Sequence, residues 1–235
     1  MIKAVVFDLD DTLYPEMDFV RSGFSKVSQY LSSLFQISKE ALEKEIWEQF
    51  HKDSSRVFNG ILERYGKSSP ELVQQLIQLY RTHEPSLTLP TQSQEILDWI
   101  REQGLKTGII TDGYLAAQKG KVKALGLEKL VDNIICTDSL GREHWKPSPL
   151  AFEIMLSQLD CAPKASIYVG DNPKKDFIPG NQLGMVTVQL ISRQGVYREA
   201  ICSKEQDKAR YVINRLSQLK PLLKMMRGYK NGSIK

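Results

Sequence analysis

Apolar and polar residues alternate with two different periods along this chain. Near the start, Ala4 to Phe7 form an unbroken apolar run, the pattern of a buried strand, and the run stops abruptly at Asp8. From Glu16 to about His83 the period becomes helical. Val20, Phe24, Val27, Tyr30, Leu31 and Leu34 recur on one face; Leu42, Ile46, Trp47 and Phe50 follow, then Val57, Phe58, Ile61, Leu62 and Tyr65. The turn signal from Gly66 to Pro70 separates these from Leu72, Val73, Leu76, Ile77 and Tyr80. The spacing predicts a block of about four helices. Glu84 to Pro90 carries prolines and no helical period, and reads as a return linker.

Beyond Pro90, strand and helix signals alternate. Strands are predicted at Lys106 to Ile110, around Ile134 to Cys136, at Ile167 to Val169 and at Val186 to Leu190. Helices are predicted around Ile96, from Ala116 to Leu125, from Leu150 to Leu159 and from Lys175 to Leu183. Such alternation means parallel βαβ units, so the fold class is α/β with a Rossmann-like parallel sheet. The expected organisation is a core of residues 1–14 and 90–235 interrupted, just after its first strand, by an all-helical insert of residues 15–89. In such sheets the chemistry lies at the carboxyl ends of the strands.

The 235 residues are 41% hydrophobic, ordinary for a globular protein. No apolar run approaches the length of a bilayer span, and Lys3 precedes only four apolar residues, so neither a membrane anchor nor a signal peptide is expected. Cys136, Cys161 and Cys202 have no metal or disulfide spacing, which favours a cytoplasmic location. Every charged residue from Lys208 to Lys235 is basic. Tyr211 to Ile213 and Leu216 to Leu223 read there as a short strand and an amphipathic helix, so the charge is expected to be a solvated face. No recognition motif accompanies it, and nucleic acid is not expected as a partner.

Polar clusters follow four of the predicted strands. Asp8 and Asp10 are two apart, so an extended backbone would turn both carboxylates to one side. Their repulsion would be relieved by a hard cation or by splitting the roles of ionised nucleophile and protonated acid. Thr111-Asp112-Gly113 supplies a hydroxyl and free N–H groups at a strand-to-helix turn, suited to a phosphate. Lys146, ahead of Pro147, is placed to neutralise clustered carboxylates. Asp171 could add a metal ligand, and Asp176 could hold Lys146 or a metal-bound water. Each cluster also has a plain reading, as a capped turn or an exposed loop lysine.

Taken in order, Asp8-Leu9-Asp10-Asp11-Thr12, Thr111, Lys146 and Gly170-Asp171 through Asp176 resemble the haloacid dehalogenase-like hydrolase superfamily. The resemblance covers the α/β part and accounts for the insert as a helical cap of the C1 type. It implies Asp8 as nucleophile and Asp10 as acid and then base. It implies Mg²⁺ held by Asp8, the backbone carbonyl of Asp10, and Asp171, with Asp176 behind them. Thr111, Asp112 and Gly113 would hold phosphate, and Lys146 would offset charge. Asp10 and the acidic Asp171 and Asp176 favour a Mg²⁺-dependent phosphatase over a dehalogenase. Asp112 departs from the Asn of many relatives. The expected substrate is a small phosphorylated metabolite. The run Asp10 to Pro15 also resembles pyrimidine 5′-nucleotidases, so nucleoside 5′-monophosphates are one class; a phosphotransferase or mutase, or a non-enzymatic anion-binding protein using the basic tail, are the alternatives. Oligomeric state stays open.

Overall fold

The computed structural model describes residues 1–192 and 204–228; Cys202 and the tail lysines Lys230 and Lys235 lie outside them. The chain divides into two compact units: Met1–Glu16 with the chain from Thr88 onward, and Met17–Leu87.

The second unit is helical. It is built from α1 (Glu16–Phe35, whose first residue belongs to the other unit), α2 (Lys39–Lys52), α3 (Val57–Arg64) and α4 (Pro70–Thr82). Two starts have clear local causes. The Ser38 hydroxyl caps α2 by accepting from Ala41 N, and Ser69 caps α4 by accepting from Leu72 N, with Pro70 in the first turn. The helical stripes meet in one core in which Leu31, Leu42, Ile46, Ile61, Leu62 and Leu76 are fully buried. Phe24 lies edge-on to Trp47, Phe50 and Phe58 within it.

Among the described residues the first unit is built on a six-stranded sheet: β1 (Ala4–Phe7), β2 (Lys106–Thr111), β3 (Asn133–Cys136), β4 (Ser166–Gly170), β5 (Val186–Leu190) and β6 (Tyr211–Ile213), in the order β3-β2-β1-β4-β5-β6. All neighbouring strands run parallel. Helices α5 (Thr91–Glu102), α6 (Leu115–Ala124), α7 (Leu150–Gln158), α8 (Phe177–Leu183) and α9 (Leu219–Met226) connect or follow them. Every residue of β1 and β4 is buried, which is why these strands read as continuous apolar runs. Phe7 lies opposite Ile109 on one side and Val169 on the other, so three strand ends come level. The chain leaves β1 toward β3 and returns to β4 on β1's other side; that reversal is the switch point where α/β sheets bind ligands. The leucines Leu219 and Leu223 of α9 are fully buried, while Arg215 and Lys224 are exposed. Among the described residues no helix is long and apolar enough to cross a membrane.

Two local departures from the periodicity matter for the site. The helix expected from Lys175 begins at Phe177, because Asn172 to Asp176 form a turn: Asn172 Oδ1 accepts from Lys174 N, and the Asn172 carbonyl accepts from the Lys175 and Asp176 amides. Lys175 is thereby lifted off the helix. The turn after β1 places Asp11 in the left-handed region (φ 52°), which Asp tolerates, and its carboxylate accepts from Glu16 N to start α1.

Candidate active site

Asp8 is the first residue past β1, tied to β4 by its amide donating to Val169 O (2.8 Å). Lys146 reaches it from the loop before α7. Its Nζ lies 2.5 Å from Asp8 Oδ1, 2.8 Å from Asp176 Oδ1 and 3.0 Å from the Tyr168 hydroxyl, and its side chain is wholly buried. Burial works against that charge, but Asp176 and Asp8 hold the ammonium protonated well above the ordinary lysine range. Asp176 is equally buried, and its other oxygen accepts from Asn172 N (2.9 Å).

Asp171 closes the group. Carboxylate oxygens of Asp8, Asp171 and Asp176 lie within 4.8 Å of one another, and Asp171 Oδ2 is buried with no hydrogen-bond partner among the described residues. Burial, then the charges of Asp8 and Asp176, push the Asp171 carboxyl up to about 9. Burial pushes Asp8 up to about 7 although Lys146 pulls against it. An orphaned buried oxygen among converging carboxylates fits a hard divalent cation with oxygen ligands. Asp176, with both oxygens engaged, stands behind Asp8 and Asp171.

Asp10 faces a different set of partners. Its Oδ1 accepts from Tyr14 OH (2.5 Å) and Lys121 Nζ (2.7 Å), and its Oδ2 from Gln118 Nε2 (2.9 Å). Burial would raise its pKa, but the Lys121 charge and these hydrogen bonds hold it below the usual carboxylate range. Gln118 also donates to Thr111 Oγ1, so one amide links Asp10 to the end of β2. Glu16 stands nearby, pushed up to about 7 by burial and by the charge of Asp10. Asp10's side chain is thus not in the Asp8–Asp171–Asp176 cluster; its backbone carbonyl is the ligand the sequence resemblance implies.

Asp112 accepts from Thr137 Oγ1 (2.8 Å) and Lys146 N (3.1 Å) with one oxygen, and from Lys175 Nζ (2.8 Å) with the other. Gly113 has φ +139°, a conformation suited to glycine. The structure therefore brings Asp8, Lys146, Asp171 and Asp176 into direct contact or near-contact, and joins Asp10 to Thr111 through Gln118.

Sequence reasoning missed Gln118, Lys121, Tyr168 and Lys175. Gln118 and Lys121 are both buried and three apart on α6, hence on one helix face. Polar residues at the buried phase of a helix were the available signal. Tyr168 gave none, because a strand tyrosine reads as core.

A family model for haloacid dehalogenase-like hydrolases matches residues 5–190. The chain is a haloacid dehalogenase-like hydrolase. It is 30% identical to the glyceraldehyde 3-phosphate phosphatase of Methanopyrus kandleri over 227 residues, covering 93% of this chain and 96% of that one. It is 28% identical to the enzyme of the same name from Methanocaldococcus jannaschii over 233 residues, covering 97% and 99%. A crystal structure of a phosphatase of this superfamily from Thermococcus onnurineus superposes with a TM-score of 0.60 at 25% identity, covering 94% of this chain and 98% of that one. The haloacid dehalogenase-like hydrolase fold thus spans nearly the whole length of the chain and of these relatives.

Proposed function

We propose that this hydrolase is a Mg²⁺-dependent phosphatase that removes the phosphoryl group of a small phosphorylated metabolite through an aspartyl-phosphate on Asp8. The observation that carries the reading is the buried cluster at the switch point, in which Lys146 sits 2.5 Å from Asp8 while Asp171 keeps an unpartnered buried oxygen beside it.

Asp8, Asp171 and the backbone carbonyl of Asp10 would hold the cation, which supplies charge neutralisation at the phosphoryl oxygens. An Asp8 oxygen forms the new bond to phosphorus, and the bond from phosphorus to the ester oxygen breaks. Asp10 gives a proton to that departing oxygen, then takes one from the water that cleaves the aspartyl-phosphate, releasing phosphate and restoring Asp8. In the free site Lys121 holds Asp10 ionised, so the proton it passes to the ester oxygen enters with the phosphate monoanion of the substrate, and the ionised form it returns to is the one the second step uses. Lys146 keeps Asp8 oriented and offsets charge spread over the transferring group. The Thr111 hydroxyl accepts from Gln118 and can at the same time donate its own proton to a phosphoryl oxygen. The helical insert is read as the cap that selects the leaving group.

Glyceraldehyde 3-phosphate is the first substrate to test, because four relatives are named as its phosphatase. Nucleoside 5′-monophosphates follow, on the resemblance of the Asp10 to Pro15 run. Phosphate release measured against transfer to added alcohols separates a phosphatase from a phosphotransferase. The decisive experiment is Asp8→Asn assayed with 4-nitrophenyl phosphate and Mg²⁺. Turnover is expected to vanish with the fold intact by circular dichroism, and retained turnover refutes the nucleophile assignment.

A further inference from the structure

An ammonium has three N–H donors, and those of Lys146 are matched one for one by Asp8, Asp176 and Tyr168. Its side chain has no exposed surface. It can meet a phosphoryl oxygen only by giving up one of these three partners.

Lys175 is placed differently. It sits in the turn between β4 and α8, its side chain is 32% exposed, and its Nζ donates to Asp112 Oδ2 at 2.8 Å. That bond uses one of its donors. Asp112 also accepts from the Lys146 amide, and Lys146 holds Asp8, so the Lys175 ammonium is joined to the reacting carboxylate through one side chain and one neighbouring residue.

Asp112 is the other half of the observation. Its side chain is only 4% exposed and both oxygens are taken, by Thr137 and the Lys146 amide on one side and by Lys175 on the other. A buried carboxylate with no free oxygen has nothing to offer an incoming anion. It makes chemical sense beside a phosphate as the anchor of a cation. Solvated surface pairs are worth little, but this pair is buried on its acidic side, so its geometry is held.

We infer that Lys175 is a further substrate-contacting residue, its ammonium donating to the anionic oxygens of the phosphoryl group, and that Asp112 is the positioning residue that aims it. The inference rests on the phosphatase reading and deepens it. Lys146 then orients the nucleophile and offsets charge from beneath it, and Lys175 adds a direct contact to the phosphoryl oxygens.

The test uses inorganic phosphate as the probe, titrated calorimetrically with Mg²⁺ present, beside KM and kcat for 4-nitrophenyl phosphate. Lys175→Met is expected to weaken phosphate binding by about tenfold or more, the scale of a hydrogen bond to a charged group, and to raise KM by a similar factor. Lys175→Arg recovers most of the loss. Lys175→Met also strands the buried Asp112 charge, so the double variant Lys175→Met/Asp112→Asn removes that strain. Its melting temperature is expected to return toward wild type while phosphate binding stays weak. Asp112→Asn alone should weaken phosphate severalfold by loosening the lysine. If the double variant binds phosphate as tightly as wild type, Lys175 is a structural partner only and the inference is overturned. A wild-type protein that neither binds phosphate nor cleaves the ester overturns the phosphatase reading itself, a separate result.

Discussion

The carboxylate of Asp176 occupies the space that a side chain at Gly170 would need: a Cβ there would lie 2.5 Å from Asp176 Oδ2 and 2.9 Å from its Cγ. Asp176 cannot swing aside freely, because it is wholly buried and holds both Lys146 Nζ and Asn172 N. Gly170→Ala should therefore act as overpacking and lower stability by about 1–3 kcal/mol. Because Lys146 moves with Asp176, turnover should fall by at least about tenfold. Urea denaturation and 4-nitrophenyl phosphate assays check the two effects; an alanine enzyme with wild-type turnover would show that the Asp176 contact does not position Lys146.

Lys146→Met keeps the length of the side chain and removes its charge. Asp8 and Asp176 then face each other in a buried site without their cation. Removing one partner of a buried ion pair costs about 3–5 kcal/mol, and a loss in that range is expected in chelator-treated protein. Added Mg²⁺ should restore part of it by screening the same carboxylates, and turnover should remain low even then. Denaturation midpoints with and without Mg²⁺ read this directly, and a loss below about 1 kcal/mol would remove the ion pair from the account of stability.

Much of the core was legible because parallel strands buried on both faces have no polar alternation to confuse them: Ala4 to Phe7 and Ile167 to Val169 could be read as strands from apolarity alone. The acids were legible for a related reason, since each breaks an apolar run where the strand leaves the sheet. Gln118, Lys121 and Lys175 were not. Lys121 lies far along the chain from the Asp10 it pairs with, and only the packing of α6 brings it there. Lys175 reads as a helix residue until the Asn172 turn takes it off the helix. Asp112 follows a strand, where its backbone N–H can face a phosphate, but nothing in the sequence shows that its side-chain oxygens turn toward Thr137, the Lys146 amide and Lys175. Orientation of that kind depends on three loops at once and has no local signature.

In the helical unit, His83 is buried between the Tyr80 carbonyl and the Ser22 hydroxyl, and Ser22 in turn accepts from Ser86 N. Burial holds its pKa below 6.5, against the pull of the Tyr80 bond. The folded state thus binds this proton less readily than the unfolded chain. The sign follows: the stability from neutral His83 is fully present above about pH 6.5 and is lost as pH falls toward the folded value. Denaturation at pH 7.5 and at pH 5 should show wild type losing more stability on acidification than His83→Gln. Parallel losses in the two proteins would mean that His83 does not carry the acid sensitivity.

Asp171 offers the cleanest separation of metal binding from folding. Its unpartnered Oδ2 and a carboxyl pushed up to about 9 mark a group that is poorly satisfied without a cation. Asp171→Asn replaces a carboxyl that burial keeps protonated without a cation by a neutral amide of the same shape, so the chelated variant should be as stable as chelated wild type or more so. Mg²⁺ should reverse that ranking. A ligand bound only by the folded state at a hundredfold over its dissociation constant adds about 2.7 kcal/mol, and wild type should gain on that scale while the variant gains little. Turnover of the variant should fall with its Mg²⁺ response. The paired melts, with and without Mg²⁺, decide the point. A variant that is weaker than wild type in chelator and still stabilised in full by Mg²⁺ would place the cation elsewhere and leave Asp171 as a structural acid.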